Sequence, residues 1–320
     1  MKAAVVGEKG AEVRDLPKPE PAPNEVLIRV RASSLNRADV GVAAGHQHGR
    51  VGGVGSRIGL ECSGEVEAVG REVTAFKPGD RVMGSAPGSY AEYVVADPGR
   101  IARIPANNMT YEQAACFPVA LQTLHNAIVT AGRFKRGETL LIQGASSGVG
   151  LMGMQIGKFM GASLVMGTST NPGRRARLKE FGCDLAIDTT DPKWPEAVKK
   201  ATADKGVDLI VDMVSAPVAN QNLEAAAILG RIVNVGRLGG QTGEFNASGP
   251  YAGIVVRVAE PVTAGALFAV RARATFFPRN PVPPVSRTFI GRDSRRRCAR
   301  ANPRAGRAGC GRGRCGAPSR

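Results

Sequence analysis

The sequence predicts an α/β protein: a small β-barrel-type domain, then a doubly wound parallel sheet, then an irregular tail. Three observations predict it. Before residue 120, short alternating strands are separated by Pro/Gly turns. From Thr139 onward, apolar strands alternate with helical stretches, the order that builds a parallel sheet. From about Ala247 Arg, Ala, Gly and Pro dominate, and neither period survives after Phe277. The 320 residues suit two domains. We set them at 1–120 and 121–250, with 251–320 as a basic Arg/Gly/Pro/Ala-rich tail.

In the first part, Glu25–Ser33 ("EVLIRVRAS") alternates apolar and polar, as a half-buried strand does. Residues 61–70 ("ECSGEVEAVG") do the same, with glycines where a strand bends or bulges. "FKPGD" (residues 76–80) is a turn, because Pro78 fixes φ and Gly79 permits it to be positive.

The second part opens with the most informative run, Thr139–Gly150 ("TLLIQGASSGVG"). The strand Leu140–Ile142 enters a turn of small residues, which leads into an apolar helix from Gly150 to Met160. That order builds a dinucleotide cradle: small residues let backbone approach a diphosphate, and a helix N-terminus offers unpaired N–H groups and partial positive charge. The cradle comprises Ala145, Ser146, Ser147, Gly148, Val149 and Gly150. Only Gly150 keeps a glycine of the G-x-G-x-x-G pattern; Ala145 and Ser147 occupy the other two glycine positions.

A second strand, Ala162–Thr170, follows the helix. An NAD site places a carboxylate at its end, on the ribose hydroxyls. Here Thr168 and Ser169 stand there, with Arg174 close behind. Hydroxyls and a guanidinium suit an added phosphate, which favours NADPH. The competing reading makes Arg174, Arg175, Arg177 and Lys179 a solvated basic helix face. Val207–Val214 reads as a buried strand. "APVANQNLEAAAILG" reads as a helix ended by Gly230, and Arg231–Gly236 as the next strand, with Val235 and Gly236 at the cofactor end.

Several motifs in order carry a resemblance over residues 1 to about 246: "SSLNRAD" (33–39), "GLECSGEVEAVG" (59–70), "FKPGDRV" (76–82), "GSYAEYVV" (88–95), "AACFPVALQT" (114–123) and the cofactor turn. The chain resembles the medium-chain dehydrogenase/reductase superfamily, in its zinc-free quinone oxidoreductase branch. The resemblance implies a GroES-like first domain, a Rossmann-type second domain, and hydride transfer from NADPH to a quinone or α,β-unsaturated carbonyl. Zinc-dependent members hold their metal at positions matching Asn36, Leu60 and Val119, none of which is a thiolate, imidazole or carboxylate. The cysteine-rich structural lobe is missing too, so no metal is expected. With no zinc, Asn36 is the candidate to polarise the acceptor carbonyl; a capping or turn asparagine is the other reading. Thr123 matches the threonine beside the nicotinamide. Thr189 stands where relatives place a tyrosine on the cofactor phosphate, and Gly41 and Gln47 replace tyrosines of simple quinone reductases. These departures leave the acceptor open. A catalytically impaired NADPH-binding protein is the alternative function.

The tail stands apart. Residues 247–320 hold fifteen Arg, no Lys, one Asp and one Glu, so +13 of the formal +16 lies there. An Arg-only segment beside a body that uses Lys freely reads as out-of-frame translation of GC-rich coding sequence from near Asn246. Arginines also bind phosphate backbones, but Phe268, Phe276, Phe277 and Phe289 lie outside the RG run "GCGRGRCG", so no nucleic-acid partner is expected. Cys298, Cys310 and Cys315 lack CxxC spacing. His46 and His48, in the loop "GHQHGR", lack a third ligand nearby. The cysteines in the body read as small buried hydrophobes, consistent with a cytoplasmic location. "MKAAVVGEKG" is too short for a signal h-region, and no span is expected to cross a membrane. The small-molecule acceptor is the expected partner; a homodimer is doubtful with this C-terminus. The composition predicts that limited proteolysis trims Arg-rich fragments and leaves a core ending between about residues 245 and 280, because few large apolar residues offset ordering entropy there. Protection of residues 280–320 in peptide mapping would refute the out-of-frame reading.

Overall fold

The computed structural model describes residues 1–48, 51–105, 109–240, 242 and 255–258. Its N-terminus is a hairpin of β1 (Lys2–Gly7) and β2 (Gly10–Asp15), closed at Gly10 with φ +121°. Ala3, Val5 and Val6 are buried, and isolated bridges fasten the hairpin to the first domain, from Ala3 to Ala91 and from Val5 to Arg57.

The main body of this part is an antiparallel sheet. Its strands are β3 (Val26–Ser33), β4 (Glu61–Val69), β5 (Arg81–Ser85), β6 (Tyr93–Ala96) and β7 (Ile101–Arg103). The spatial order is β6-β3-β4-β5-β7. The alternation read from the sequence works as expected: Val26, Ile28, Cys62, Val66, Val82 and Val94 turn to one core. At Gly64 a Cβ would lie 2.1 Å from the Arg29 carbonyl oxygen, so only glycine lets β4 pass β3 where their register shifts. Between β3 and β4 lies the short helix α1 (Arg37–Ala43).

A helical run leads into the second part: α2 (Tyr111–Ala115), α3 (Pro118–His125) and a π-helical turn, Asn126–Ala131. Together, residues 111–131 are long and apolar enough to cross a membrane by length and composition, with mean hydropathy 1.2. The sequence reading anticipated no such span. Its apolar side is already occupied, because Leu124, Ala127 and Ile128 are fully buried in the same core as Leu140, Ile142 and Leu209.

The second sheet is wholly parallel. It contains β8 (Thr139–Gln143), β9 (Leu164–Thr168), β10 (Leu185–Ile187), β11 (Val207–Asp212), β12 (Ala226–Asn234) and β13 (Val255–Val258). The order β10-β9-β8-β11-β12-β13 is that of a Rossmann-type doubly wound sheet, whose strand order reverses beside the first strand. Helices α4 (Gly148–Phe159), α5 (Pro172–Ala176), α6 (Trp194–Ala201) and α7 (Ala219–Ala225) connect its strands. Leu140, Ile142, Val165, Leu209 and Val211 fill one core; Leu141, Met166, Ile210, Ile232 and Trp194 fill the other. Arg231, at the middle of β12, makes a bidentate ion pair with Glu138 just before β8, at 2.9 and 2.5 Å.

Two readings are corrected. The helix expected to run to Gly230 ends at Ala225, and Gly230 lies inside β12. Ala226 pairs with Val207 and Arg231 with Leu209, so five residues of β12 pass while β11 advances two. Strand pairing overrides the helix propensity of this alanine-rich stretch. Second, the parallel sheet runs past the boundary set at 250, since β13 adds a strand in register with β12 at residues 255–258. The Arg-rich segment from 259 lies outside the described residues.

Cys62 and Cys183 are buried as expected, and burial pushes their thiols up to about 12 and about 11; Cys116, read from the sequence as buried too, is exposed at the end of α2. Iodoacetamide at neutral pH, followed by peptide mapping, should therefore label Cys116 well before Cys62 or Cys183, because only the thiolate of an accessible cysteine reacts.

Candidate functional site

Ligands of doubly wound sheets bind at the carboxyl ends of the strands where the order reverses, here β8 and β11. In this chain a buried polar relay crosses that edge. Gly144 N–H donates to Thr168 Oγ1 at 3.0 Å, and Thr168 Oγ1 donates to Gln143 Oε1 at 2.7 Å. Gln143 Nε2 donates to Asn222 Oδ1 at 2.6 Å, and Asn222 Nδ2 donates to Asp212 Oδ2 at 3.0 Å. All four side chains are buried. Asp212 Oδ1 accepts from the N–H groups of Val214 and Ser215. Burial raises the Asp212 carboxyl from its ordinary range, opposed by those backbone donors. The relay ties the turn after β8 to the loop after β11, where Ser215 holds φ +72°.

The turn itself is built for an anion. Ser147 caps α4, accepting from Gly150 N–H at 3.1 Å and donating to the Gly144 carbonyl at 2.9 Å. The N–H groups of Gly148 and Val149 have no acceptor among the described residues. A Cβ on Gly148 would meet nothing within 4 Å, so the approach to the helix end is open. A Cβ on Gly150 would lie 2.6 Å from Ala145 Cα, so this glycine lets α4 pack onto the turn. The residues fit a dinucleotide diphosphate.

The cofactor residues expected from the sequence divide accordingly. Ser146, Ser147, Gly148 and Val149 line the open turn. Ala145 is fully buried and its N–H donates to the Thr168 carbonyl, so it packs the turn from below. Thr168 is buried too, and its hydroxyl is engaged by Gln143 and Gly144, so it supports the turn. Ser169 Oγ donates to Ser146 Oγ at 3.0 Å, joining the ends of β8 and β9. Thr189 lies in the turn after β10, the neighbouring strand. Val235 and Gly236 follow β12, and both N–H groups donate to the Asp212 carbonyl.

The arginines separate as well. Arg175 donates to the Ser169 carbonyl at 2.8 Å and pairs with Asp188 at 2.8 Å. Arg177 pairs with Glu180. Arg174 is exposed, and its guanidinium has no partner among the described residues.

In the first domain, Asn36 stands at the N-cap of α1. Both readings of it meet there: its N–H donates to Asp39 Oδ2 at 2.8 Å, while its amide Nδ2 donates to Glu61 Oε1 at 2.7 Å. Glu61, buried at the start of β4, was not among the site residues expected from the sequence. It also accepts from Ser34 Oγ, and its Oε2 accepts from Val119 N–H at 2.7 Å. The carboxylate thus gathers the three positions matched to zinc ligands, Asn36, Val119 and its own neighbour Leu60. Thr123 sits one turn along α3 from Val119, on the same face. Its hydroxyl has no partner among the described residues. The alternation gave no signal for Glu61, which shares the polar phase of β4 with Ser63, Glu65 and Glu67. Among the described residues no group of three or more His, Cys, Asp or Glu side chains is placed to hold a metal.

The fold and this edge define a nicotinamide-dependent oxidoreductase scaffold. Residues 22–106 match the alcohol dehydrogenase GroES-like domain and 148–253 the zinc-binding dehydrogenase family. Human quinone oxidoreductase is 30% identical over 227 residues, covering 70% of this chain and 68% of that protein. A hybrid PKS-NRPS synthetase of Aspergillus violaceofuscus is 32% identical over 240 residues, 73% of this chain; the match spans 6% of the synthetase's length. Among solved structures, a mycobacterial protein complexed with NADPH has TM-score 0.71 at 28% identity, covering 81% of each chain. An NAD-dependent alcohol dehydrogenase has TM-score 0.70 at 29% identity, covering 82% of this chain and 85% of the other. The chain belongs to the medium-chain dehydrogenase/reductase superfamily, in its quinone oxidoreductase branch.

Asn222→Ala should remove two buried bonds of the relay and cost about 2–4 kcal/mol of stability, since Gln143 and Asp212 each lose a partner. Urea unfolding followed by the single, buried Trp194 measures it. The deficit should narrow as pH falls and Asp212 protonates, because the neutral acid no longer needs that donor.

Proposed function

We propose that the chain is a zinc-independent, NADPH-dependent oxidoreductase that reduces a quinone or an α,β-unsaturated carbonyl. The observation that carries the cofactor preference is the end of β9. Ser169 stands where NAD sites place a carboxylate, and Arg174 alone of the nearby arginines has its guanidinium unengaged among the described residues. The solved relatives include both an NADPH complex and an NAD-dependent enzyme, so the preference rests on these residues.

Gly148 and Val149 would hold the diphosphate on their N–H groups, with Ser146 and Ser147 beside it. Ser169 and Arg174 would hold the ribose phosphate, and Thr189, Val235 and Gly236 would border the cofactor. Bound NADPH supplies the hydride. Asn36 polarises the acceptor carbonyl in place of a metal, and Thr123 stands at the nicotinamide. The zinc-free reading is supported by the chemistry of Asn36, Leu60 and Val119. Exposed apolar Leu35 and Val40, beside Asn36, suit an apolar acceptor. In this reading residues 1–120 shape the acceptor side and 121–250 bind the cofactor. A binding protein without turnover is the second reading, favoured by the Arg-rich composition beyond the family match that ends at 253.

Steady-state turnover on a panel of quinones and enones, with NADPH or NADH and after dialysis against a chelator, tests the assignment. NADPH oxidation that survives chelation is expected; NADPH binding without turnover on any acceptor would leave the second reading. Arg174→Ala should weaken NADPH binding by about 1.5–3 kcal/mol, the range for a hydrogen bond to a charged group, and leave NADH nearly unchanged. Equal losses for both cofactors in calorimetry would make Arg174 a surface charge only.

A further inference from the structure

Glu61 is a buried carboxylate with no cationic partner among the described residues. Three neutral donors satisfy it: Ser34 Oγ, Asn36 Nδ2 and Val119 N–H. Such a group is costly to bury unless each bond is made, so its surroundings are tightly specified. Val119 is the second residue of α3, whose own N-cap, Phe117, offers no side-chain acceptor. Glu61 therefore caps α3 from another element, where negative charge complements the helix dipole.

A carboxylate only accepts, so it settles which way the Asn36 amide faces: nitrogen toward Glu61, carbonyl away. The nitrogen carries a second hydrogen beyond that bond. We propose that Glu61 is a positioning residue of the acceptor site: it orients the Asn36 amide so that this second N–H is the donor to the substrate carbonyl, and it locks that amide to the helix bearing Thr123. The inference rests on the role assigned to Asn36 above. Glu61 touches no reacting atom. It spans the N-cap of α1 and the first turn of α3 through one side chain, so the polarising amide and the Thr123 hydroxyl share a single frame.

The test reverses the polarity of the pair. In Glu61→Gln, one face of the new amide points a donor at a donor. The double variant Asn36→Asp/Glu61→Gln restores the bonds to both elements. Its introduced glutamine donates to the introduced aspartate and accepts from Val119 N–H, but the N–H that would meet the substrate is gone. Glu61→Gln should lower kcat about 10–100-fold, the scale for a misplaced catalytic contact, with the KM for NADPH within about twofold. The double variant should recover the Tm of the wild type and not its kcat. In 1H–15N spectra, the Asn36 side-chain amide of the wild type should show one strongly downfield proton, and Glu61→Gln should abolish that shift. Unchanged kcat in Glu61→Gln would overturn the proposal, as would recovery of both Tm and kcat in the double variant, which marks a purely structural bond. If the wild type turns over no acceptor, the function assigned above fails. The amide signature then decides whether Glu61 orients Asn36, and a signal indifferent to Glu61→Gln overturns it.

Discussion

The cofactor edge of this protein depends on a row of buried hydrogen bonds that runs across the strands. Thr168, Gln143, Asn222 and Asp212 come from β9, β8, α7 and β11, and none could be buried without its neighbours. The apolar cores above and below the sheet supply bulk stability, but they tolerate exchange of one aliphatic residue for another. The polar row does not. Each member has one donor or acceptor facing the next, so the order of the strands and the shape of the turn after β8 are specified together. The open N–H groups at the start of α4 follow from that constraint, because Thr168 holds Gly144 and Ser147 caps Gly150.

The first domain uses the same physics with a different group. There a single carboxylate collects donors from a loop, a helix cap and a second helix's first turn. Both devices fix a turn or a helix end by pairing buried polar groups from distant elements. At the end of β9 the arginines divide residue by residue: Arg175 and Arg177 are engaged by Asp188 and Glu180, and Arg174 has no partner for its guanidinium among the described residues.

Much of this was legible in the sequence because local rules sufficed. The strand–turn–helix at 139–159 announces itself through apolar runs and small residues, and the alternation in β3 and β4 needs only a period of two. The cradle residues were identified as a stretch, yet which of them face a ligand was not legible. Ala145 and Thr168 are turned inward by partners that are distant in sequence, and periodicity carries no information about such pairs. Glu61 was hidden for the same reason: two of its donors lie 25 and 58 residues away. The helix before Gly230 was overread because alanine favours helices, whereas pairing with Val207 decides the backbone at Ala226.

The irregular pairing of β12 has a consequence for how this chain can change. Between Ala226 and Arg231 the strand runs longer than its neighbour, and Ile228 and Leu229 stand out to solvent, Leu229 with φ +65°. A stretch that is already out of step absorbs lengthening or shortening without moving the pairs downstream. The turn from Gly144 to Gly150 has no such slack, since it is pinned by bonds at both ends. Insertions and deletions in descendants of this sequence should therefore accumulate at 227–230 and be purged at the cradle, so length variation alone would trace the boundary between scaffold and site.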